Sequence, residues 1–334
     1  MPNLIYRQAG LVLAQNSAAS GAQVKALQAD LRRLGYLRSG VDGNFGPGTE
    51  TGVRALQFDL LNNTGKGNDG QAPVSIKDAY NKGRVAAVTG AADQALVECI
   101  SDMLDDPNYH KVPVSANPKA DNAAAVATVR ALPSGQVPMP FLIAIMRQES
   151  GLQHFWTDAF VTVGLDNGNS AVPHAVTSRG YGIGQYTLFH HPPTATEVAD
   201  FISSPAGNVT KARSELLSKF TSFVNGPTPG TQADERIAEA GKIPLRACKY
   251  ATTDARFMTD CRACATTAGL INIQANVTPW FPGARGTYPE KNDGVPVRAN
   301  IGCDWPYAVR RYNGGGPLSY RYQARVLKNL LIAP

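Results

Sequence analysis

The sequence predicts a mainly α-helical protein built from two domains. Three observations carry this. Apolar residues recur at helical spacing in three separate stretches of the first third. Glycine- and proline-rich loops punctuate them. Few stretches in the remainder alternate apolar and polar residues as a half-buried strand would.

The first helix is "VKALQADLRRLGY", with Val24, Leu27, Leu31 and Leu34 on one face and Gly35 as its stop. A tight loop, "SGVDGNFGPGTE", follows, and Pro47 stands near the next helix start. The second helix, "TGVRALQFDLL", presents Val53, Leu56 and Leu60. A Gly/Asn-rich loop near 62–73 precedes "ADQALVECISDML", which carries Leu96, Cys99, Ile100, Met103 and Leu104 on one side. Residues 20–105 therefore read as a small three-helix module behind an N-terminal segment, 1–19. Residues 106–136, rich in Pro, Ala, Asn and Ser, read as a linker with a short helix near 121–131. Residues 137–334 form a second domain of short helices and long loops.

The 334 residues, 43% hydrophobic and 17% charged, suffice for two folded domains. No apolar run approaches the roughly 18 residues that span a bilayer, so stable membrane insertion is not expected. The apolar patch near the N-terminus is short and interrupted by Gln8, which argues against a cleaved export signal. The net charge of +6 suits ordinary solubility or attraction to an anionic polymer. Its basic residues are scattered, and no nucleic-acid module is present. Cys99 reads as a core residue. Cys248, Cys261, Cys264 and Cys303 read as two disulfides, with a structural four-thiolate zinc site as the alternative. His110, His154, His174, His190 and His191 lack the spacing of helical metal ligands. No cofactor is expected.

One helix carries chemistry. In "FLIAIMRQESGL", Leu142, Ile145 and Met146 form a buried stripe whose next position is Glu149. Pro138 and Pro140 mark its start and Gly151 its end. Burial and the negative end of the helix dipole would both disfavour a carboxylate there. A raised pKa is what a general acid near neutral pH requires. The competing reading is an ion pair with Arg147. Two more stretches stand out: "SRGYGIGQYT" at 178–187, a glycine-dense loop ending near Gln185, and "YAVRRYNGGG" at 307–316, where a helical pattern ends in Tyr312 and Asn313.

Two resemblances follow. The run from Val24 to Gln57 resembles the peptidoglycan-binding module of wall hydrolases, through Leu34, Gly35, Tyr36, Asp42, Gly43, Phe45, Gly46, Thr49, Val53, Leu56 and Gln57. Tyr36, Asp42, Phe45 and Gln57 are its signature positions, and the long loop before the third helix departs from the pattern. Glu149-Ser150, Gly182-Ile183-Gly184-Gln185 and Tyr312-Asn313-Gly314-Gly315, in that order, resemble lytic transglycosylases and goose-type lysozymes. That resemblance implies a lysozyme-like, mostly helical catalytic domain acting on the glycan of alternating N-acetylglucosamine and N-acetylmuramic acid. Glu149 would be the acid/base. Ser150 would orient the substrate, Gly184 and Gln185 would line the sugar groove, Tyr312 would tune Glu149 and Asn313 would brace the site. The spacing between the three motifs is longer than the resemblance leads one to expect, and a cysteine-containing insert at about 245–303 fits no motif of either family.

Glycosidases ordinarily use two carboxylates. Asp158, Asp166 and Asp304 are candidates for the second, each better read as a loop residue. A single acid suffices if the muramic acid acetamido group stabilises the sugar cation and its C6 hydroxyl closes an anhydro ring. Hydrolysis by water is the nearest alternative, an inert wall-binding or phage structural protein the next, and a metal-dependent peptidase or amidase the last. The architecture resembles a phage endolysin: a monomer made in the host cytoplasm and acting at the cell wall, with a virion-associated enzyme looking similar. Its expected partner is peptidoglycan.

Overall fold

A computed structural model of the chain describes residues 5–66, 72–131, 137–168, 171–222, 245–248, 303–314, 317–330 and 332. It is mainly α-helical, as the periodicity predicts. The helices are α1 (Gly21–Arg33), α2 (Pro47–Asn62), α3 (Gln94–Asp105), α4 (Pro118–Ala131), α5 (Met139–Ser150), α6 (Pro205–Ser222), α7 (Trp305–Tyr312) and α8 (Pro317–Leu330). By contacts the chain divides into two units: 1–123 with 153–208, and 124–152 with 209–334. This division does not fall at residue 137. The stretch 153–208 belongs with the N-terminal module.

In the first unit each helix starts where its sequence supplies a cap. Ser20 and Gln23 form a reciprocal capping box on α1. Pro47 occupies the first turn of α2, where its missing N–H costs nothing. The Asp93 side chain accepts from the Leu96 N–H at the start of α3. Every apolar position read as a helix stripe is buried, from Val24 and Leu27 through Leu60 to Cys99 and Met103. Each such side chain contributes about 1.5–3 kcal/mol of transfer free energy. Tyr6 and Leu13, from the N-terminal segment, join the same core.

The stretch expected to be a linker is instead tied down. The Val112 N–H donates to the Arg33 carbonyl, and the Val161 N–H to that of Pro113. Its helix, α4, is longer than the 121–131 expected. The second difference is a three-stranded antiparallel sheet, β1 (Val163–Asp166), β2 (Ser178–Tyr181) and β3 (Tyr186–Leu188), in the order β1-β2-β3. Strands of three or four residues are too short for alternation to register as a pattern. They cover a second small core that includes Val112, Phe155, Val161, Tyr181, Phe201 and Ile202.

The glycine-dense loop is the β2–β3 turn, and its backbone is held from beneath. The Ile183 N–H donates to His154 Nδ1 at 3.2 Å, and the Gly184 N–H to Asn208 Oδ1 at 2.8 Å. Asn208 Nδ2 in turn donates to the Tyr181 and Phe201 carbonyls. Because His154 Nδ1 accepts, its proton sits on Nε2, which donates to the Ile202 carbonyl at 2.9 Å. Gly182 has φ +73°, and a Cβ there would lie 2.6 Å from the His154 ring and 2.7 Å from Asn208. Only glycine fits.

A buried polar network joins the helical module to this sheet. Arg179, on β2, donates through Nε to the Gly35 carbonyl at 2.9 Å and through Nη2 to Asp59 on α2 at 3.3 Å. Its guanidinium lies 4.9 Å from the centre of the Tyr36 ring, and the Tyr36 hydroxyl donates to the same Asp59 oxygen at 2.7 Å. The Tyr109 hydroxyl donates to the Leu34 carbonyl and meets His191 Nε2 at 2.7 Å. Burial opposes the Arg179 charge, and Asp59, foremost among its neighbours, restores it.

Two outcomes follow. Arg179→Met strands Asp59 in the interior and should cost about 3–5 kcal/mol in urea unfolding, whereas Asp59→Asn in the same background should recover part of that loss. Burial lowers the His154 pKa to about 4, from 6.5 when unfolded. The unfolded chain therefore takes up protons that the folded chain refuses. This contribution to stability is complete above pH 6.5 and declines as pH falls towards 4. The decline should be shallower in His154→Gln, read as denaturation midpoint against pH.

Candidate active site

The second unit brings α5, α7 and α8 together, with α8 packed along α5 and α7 touching both. Apolar faces drive this: Phe141, Leu142, Ile145 and Met146 on α5, Trp305, Ala308 and Val309 on α7, and Val326, Leu327 and Leu330 on α8 are buried. Phe220 of α6 stacks on Trp305 with ring centroids 4.0 Å apart. Gln323 Nε2 donates to the Pro306 carbonyl at 2.5 Å, which fixes α8 against the start of α7.

α5 ends as its sequence requires. Gly151, at φ +66°, sits in the left-handed region, and its N–H returns to the Arg147 carbonyl. Glu149 thus occupies the last turn. The residue is half-buried, but its carboxyl is desolvated. Burial raises its pKa to about 7 from 4.5, and a hydrogen bond from Tyr322 works against that rise. The Tyr322 hydroxyl donates to Glu149 Oε1 at 2.6 Å. It is the one hydrogen bond to Glu149 among the described residues.

Arg147 does not neutralise Glu149. Its guanidinium reaches the carbonyls of Asn329 and Ile332 at the end of α8, at 3.4 and 3.3 Å. The ion-pair reading of this helix end therefore gives way to a desolvated carboxyl with no cationic partner among the described residues. A group in that condition holds its proton near neutrality and can deliver it to a bound ligand.

Tyr322 was not legible as part of the site. Its place is set by the packing of α8 on α5, which no local motif encodes. The visible signal was a tyrosine on an amphipathic final helix. Burial first, then Glu149, then nearby Tyr312 raise the Tyr322 pKa well above its ordinary value. Tyr312 ends α7 and thus acts on Tyr322, the partner of Glu149. Asn313 caps α7 and is exposed. The Ser150 hydroxyl donates back to the Met146 carbonyl at 3.0 Å. Gly314 has φ +91°, and Gly315 lies outside the described residues.

Gly184 and Gln185 belong to the first unit. Gly184 is buried, and its N–H is engaged by Asn208. Gln185 turns its side chain into its own hairpin: Nε2 donates to the Gly182 carbonyl at 2.8 Å and to Thr162 Oγ1 at 3.1 Å. A Cβ at Gly164 would lie 2.5 Å from its Oε1, and one at Gly180 3.0 Å from it. This amide braces the turn; the expectation that it presents itself to a sugar is not met by its geometry.

The module's signature residues are likewise scaffold. Tyr36 and Phe45 are buried in the first core. Gln57 is buried and clamps the 89–91 turn, donating to Thr89 Oγ1 and the Ala91 carbonyl and accepting from the Thr89 and Gly90 N–H groups. Asp42 is exposed and accepts from Gln28 and the Asn44 N–H, closing the glycine loop.

The second-carboxylate candidates are otherwise engaged. Asp304 is fully buried and accepts from the Arg246 N–H and guanidinium, at 2.9 and 2.8 Å. Asp158 pairs with Arg32 in the first unit, where Asp166 is exposed at the end of β1. Cys248 and Cys303 are half-buried, and Cys261 and Cys264 lie outside the described residues. Both ring nitrogens of His154 bond to backbone, and His190 Nε2 meets Glu197 at 2.9 Å. Among the described residues no three His, Cys, Asp or Glu side chains form a group that could hold a metal ion.

Among the described residues no helix is long and apolar enough to cross a membrane. No curated protein and no solved structure matches the chain. Residues 20–65 match the family described as "Putative peptidoglycan binding domain", so the chain carries a wall-associating module and peptidoglycan is its supported partner.

Proposed function

We propose that this protein degrades peptidoglycan by cleaving the β-1,4 bond between N-acetylmuramic acid and N-acetylglucosamine, with Glu149 as the single acid/base. One observation carries the reading: a desolvated carboxyl in the last turn of α5 that meets the Tyr322 hydroxyl and no cation among the described residues, its pKa pushed up to about 7 by burial. The peptidoglycan-binding module supplies the substrate class. The resemblance of Glu149-Ser150 and Tyr312-Asn313, both in the second unit, to the motifs of lytic transglycosylases suggests the reaction.

Protonated Glu149 gives its proton to the leaving glycosidic oxygen as the C1–O bond breaks. The acetamido oxygen of the muramic acid residue stabilises the developing cation. Glu149, now a carboxylate, takes the proton of that sugar's C6 hydroxyl, whose oxygen bonds to C1 and closes the 1,6-anhydro ring. Tyr322 meets one carboxyl oxygen and supports the ionised state that follows the first step. No second carboxylate is needed, consistent with Asp304 being held by Arg246. Attack by water in place of the C6 hydroxyl is the hydrolytic variant of the same site. The reading also makes this a phage endolysin or virion-associated enzyme acting at the cell wall as a monomer.

Mass spectrometry of digested sacculi tests the reaction. Wild type should release fragments lighter by one water than hydrolytic products, and Glu149→Gln should lose at least about 10²-fold in rate; sacculi cleared equally fast by that variant would overturn the assignment. Because the acid must start protonated, kcat/KM should fall as pH rises through about 7. Tyr322→Phe removes the bond that favours the carboxylate, so this alkaline limb should move to higher pH. A separate stability measurement reads the carboxyl without chemistry. A pKa raised to about 7 gives a contribution that is complete below 4.5 and lost as pH rises through 7. Glu149→Gln should therefore melt above wild type at pH 8 and close to it at pH 5.

A further inference from the structure

A second candidate site lies wholly within the first unit. A cleft of about 240 Å³ opens between the C-terminal end of α2 with the loop after it and β2 with the 189–191 segment. It is smaller than a pocket for a drug-sized ligand. Its walls are cross-tied. Asn63 Nδ2 donates to the His191 carbonyl at 3.1 Å, and Arg179 meets Asp59 beneath. The cleft is therefore formed before any ligand arrives.

Its lining has a definite chemical character. Two phenylalanines line it, Phe58 and Phe189. Phe189 is 48% exposed, a large apolar side chain left in water. The lining also holds polar groups without a protein partner among the described residues. Ser178 is only 8% exposed and lines the cleft, yet its hydroxyl has no partner among the described residues. The Thr64 hydroxyl and the Lys66 ammonium likewise have none there. His191 also lines the cleft, and its Nδ1 is buried without a hydrogen bond. The other basic side chains are engaged: Arg179 faces Asp59, and His190 Nε2 meets Glu197.

We infer that this cleft binds one sugar residue of the peptidoglycan glycan strand, with the rings of Phe58 and Phe189 against its C–H face, the Ser178 and Thr64 hydroxyls at its hydroxyl edge, and Lys66 donating to its lactyl carbonyl oxygen. A polyanion would need more than one unpaired cation, and a stem peptide would present charged termini that this lining does not answer. A pyranose, apolar on its faces and hydroxylated around its rim, does match it. The inference rests on the module's peptidoglycan reading but extends it: half of the cleft comes from 176–191, outside the matched residues 20–65.

The test uses the full chain with Glu149→Gln, so that the polymer survives. Cosedimentation with purified sacculi is measured first, then titration with peptide-free glycan fragments and with free stem peptide. Phe189→Ala should weaken glycan binding at least tenfold without moving the thermal midpoint, since Phe189 is half in solvent. Ser178→Ala should weaken it by a smaller factor, and stem peptide should not bind. Sacculi binding that is intact in both variants would overturn the cleft and leave the module reading standing. Binding that follows stem peptide alone would overturn the choice of glycan. A parent protein that ignores sacculi would overturn the module reading along with the cleft.

Discussion

A guanidinium buried against a carboxylate organises the first unit. Arg179 comes from a four-residue strand and Asp59 from a helix 120 positions earlier. Neither charge is tolerable in the interior without the other. Around the pair Tyr36 supplies a ring face and a hydroxyl, and Gly35 supplies its carbonyl. Three strands of three or four residues would be marginal alone. This network gives it a fixed seat on the helical module. The cleft inferred to hold a sugar is a by-product of the same arrangement, since its floor is the charge pair.

The second unit uses the opposite device. There a carboxyl is desolvated and meets no cation among the described residues. Asp59 and Asp304 each have a guanidinium, whereas Glu149 has a phenol. A neutral hydrogen-bond donor softens the cost of ionisation without removing it, and so the pKa stays near 7 rather than falling into the usual carboxylate range. A group balanced in this way can give up a proton and take one back within a single turnover. A fully paired carboxylate could do neither.

Legibility followed sequence distance. Where one helix carries its own information, the reading was complete: the stripes of α1, α2 and α3 are buried, and α5 ends at Gly151 with Glu149 in its last turn. The strands leave no pattern in the sequence because they are three or four residues long and form only by pairing with one another. The 106–136 stretch has the composition of a linker, but its backbone groups bond to Arg33 and Ala159 far along the chain. Gln185 looked like a ligand-binding amide. Its positive φ and the space left by Gly164 and Gly180 turn it inward instead.

The sequence by itself determined the helical class, the peptidoglycan-binding signature and the position of one carboxyl at the end of an apolar stripe. These are local properties, written in spacing, caps and turn residues. Only the tertiary structure decided that Tyr322, and not Arg147, meets Glu149, and that the module's signature residues are scaffold. It also decided that residues 153–208 belong with the N-terminal module. Each of these depends on which distant side chain fills a given space once the apolar faces have packed, and hydrophobic burial, being non-directional, does not record that choice in any short stretch of chain.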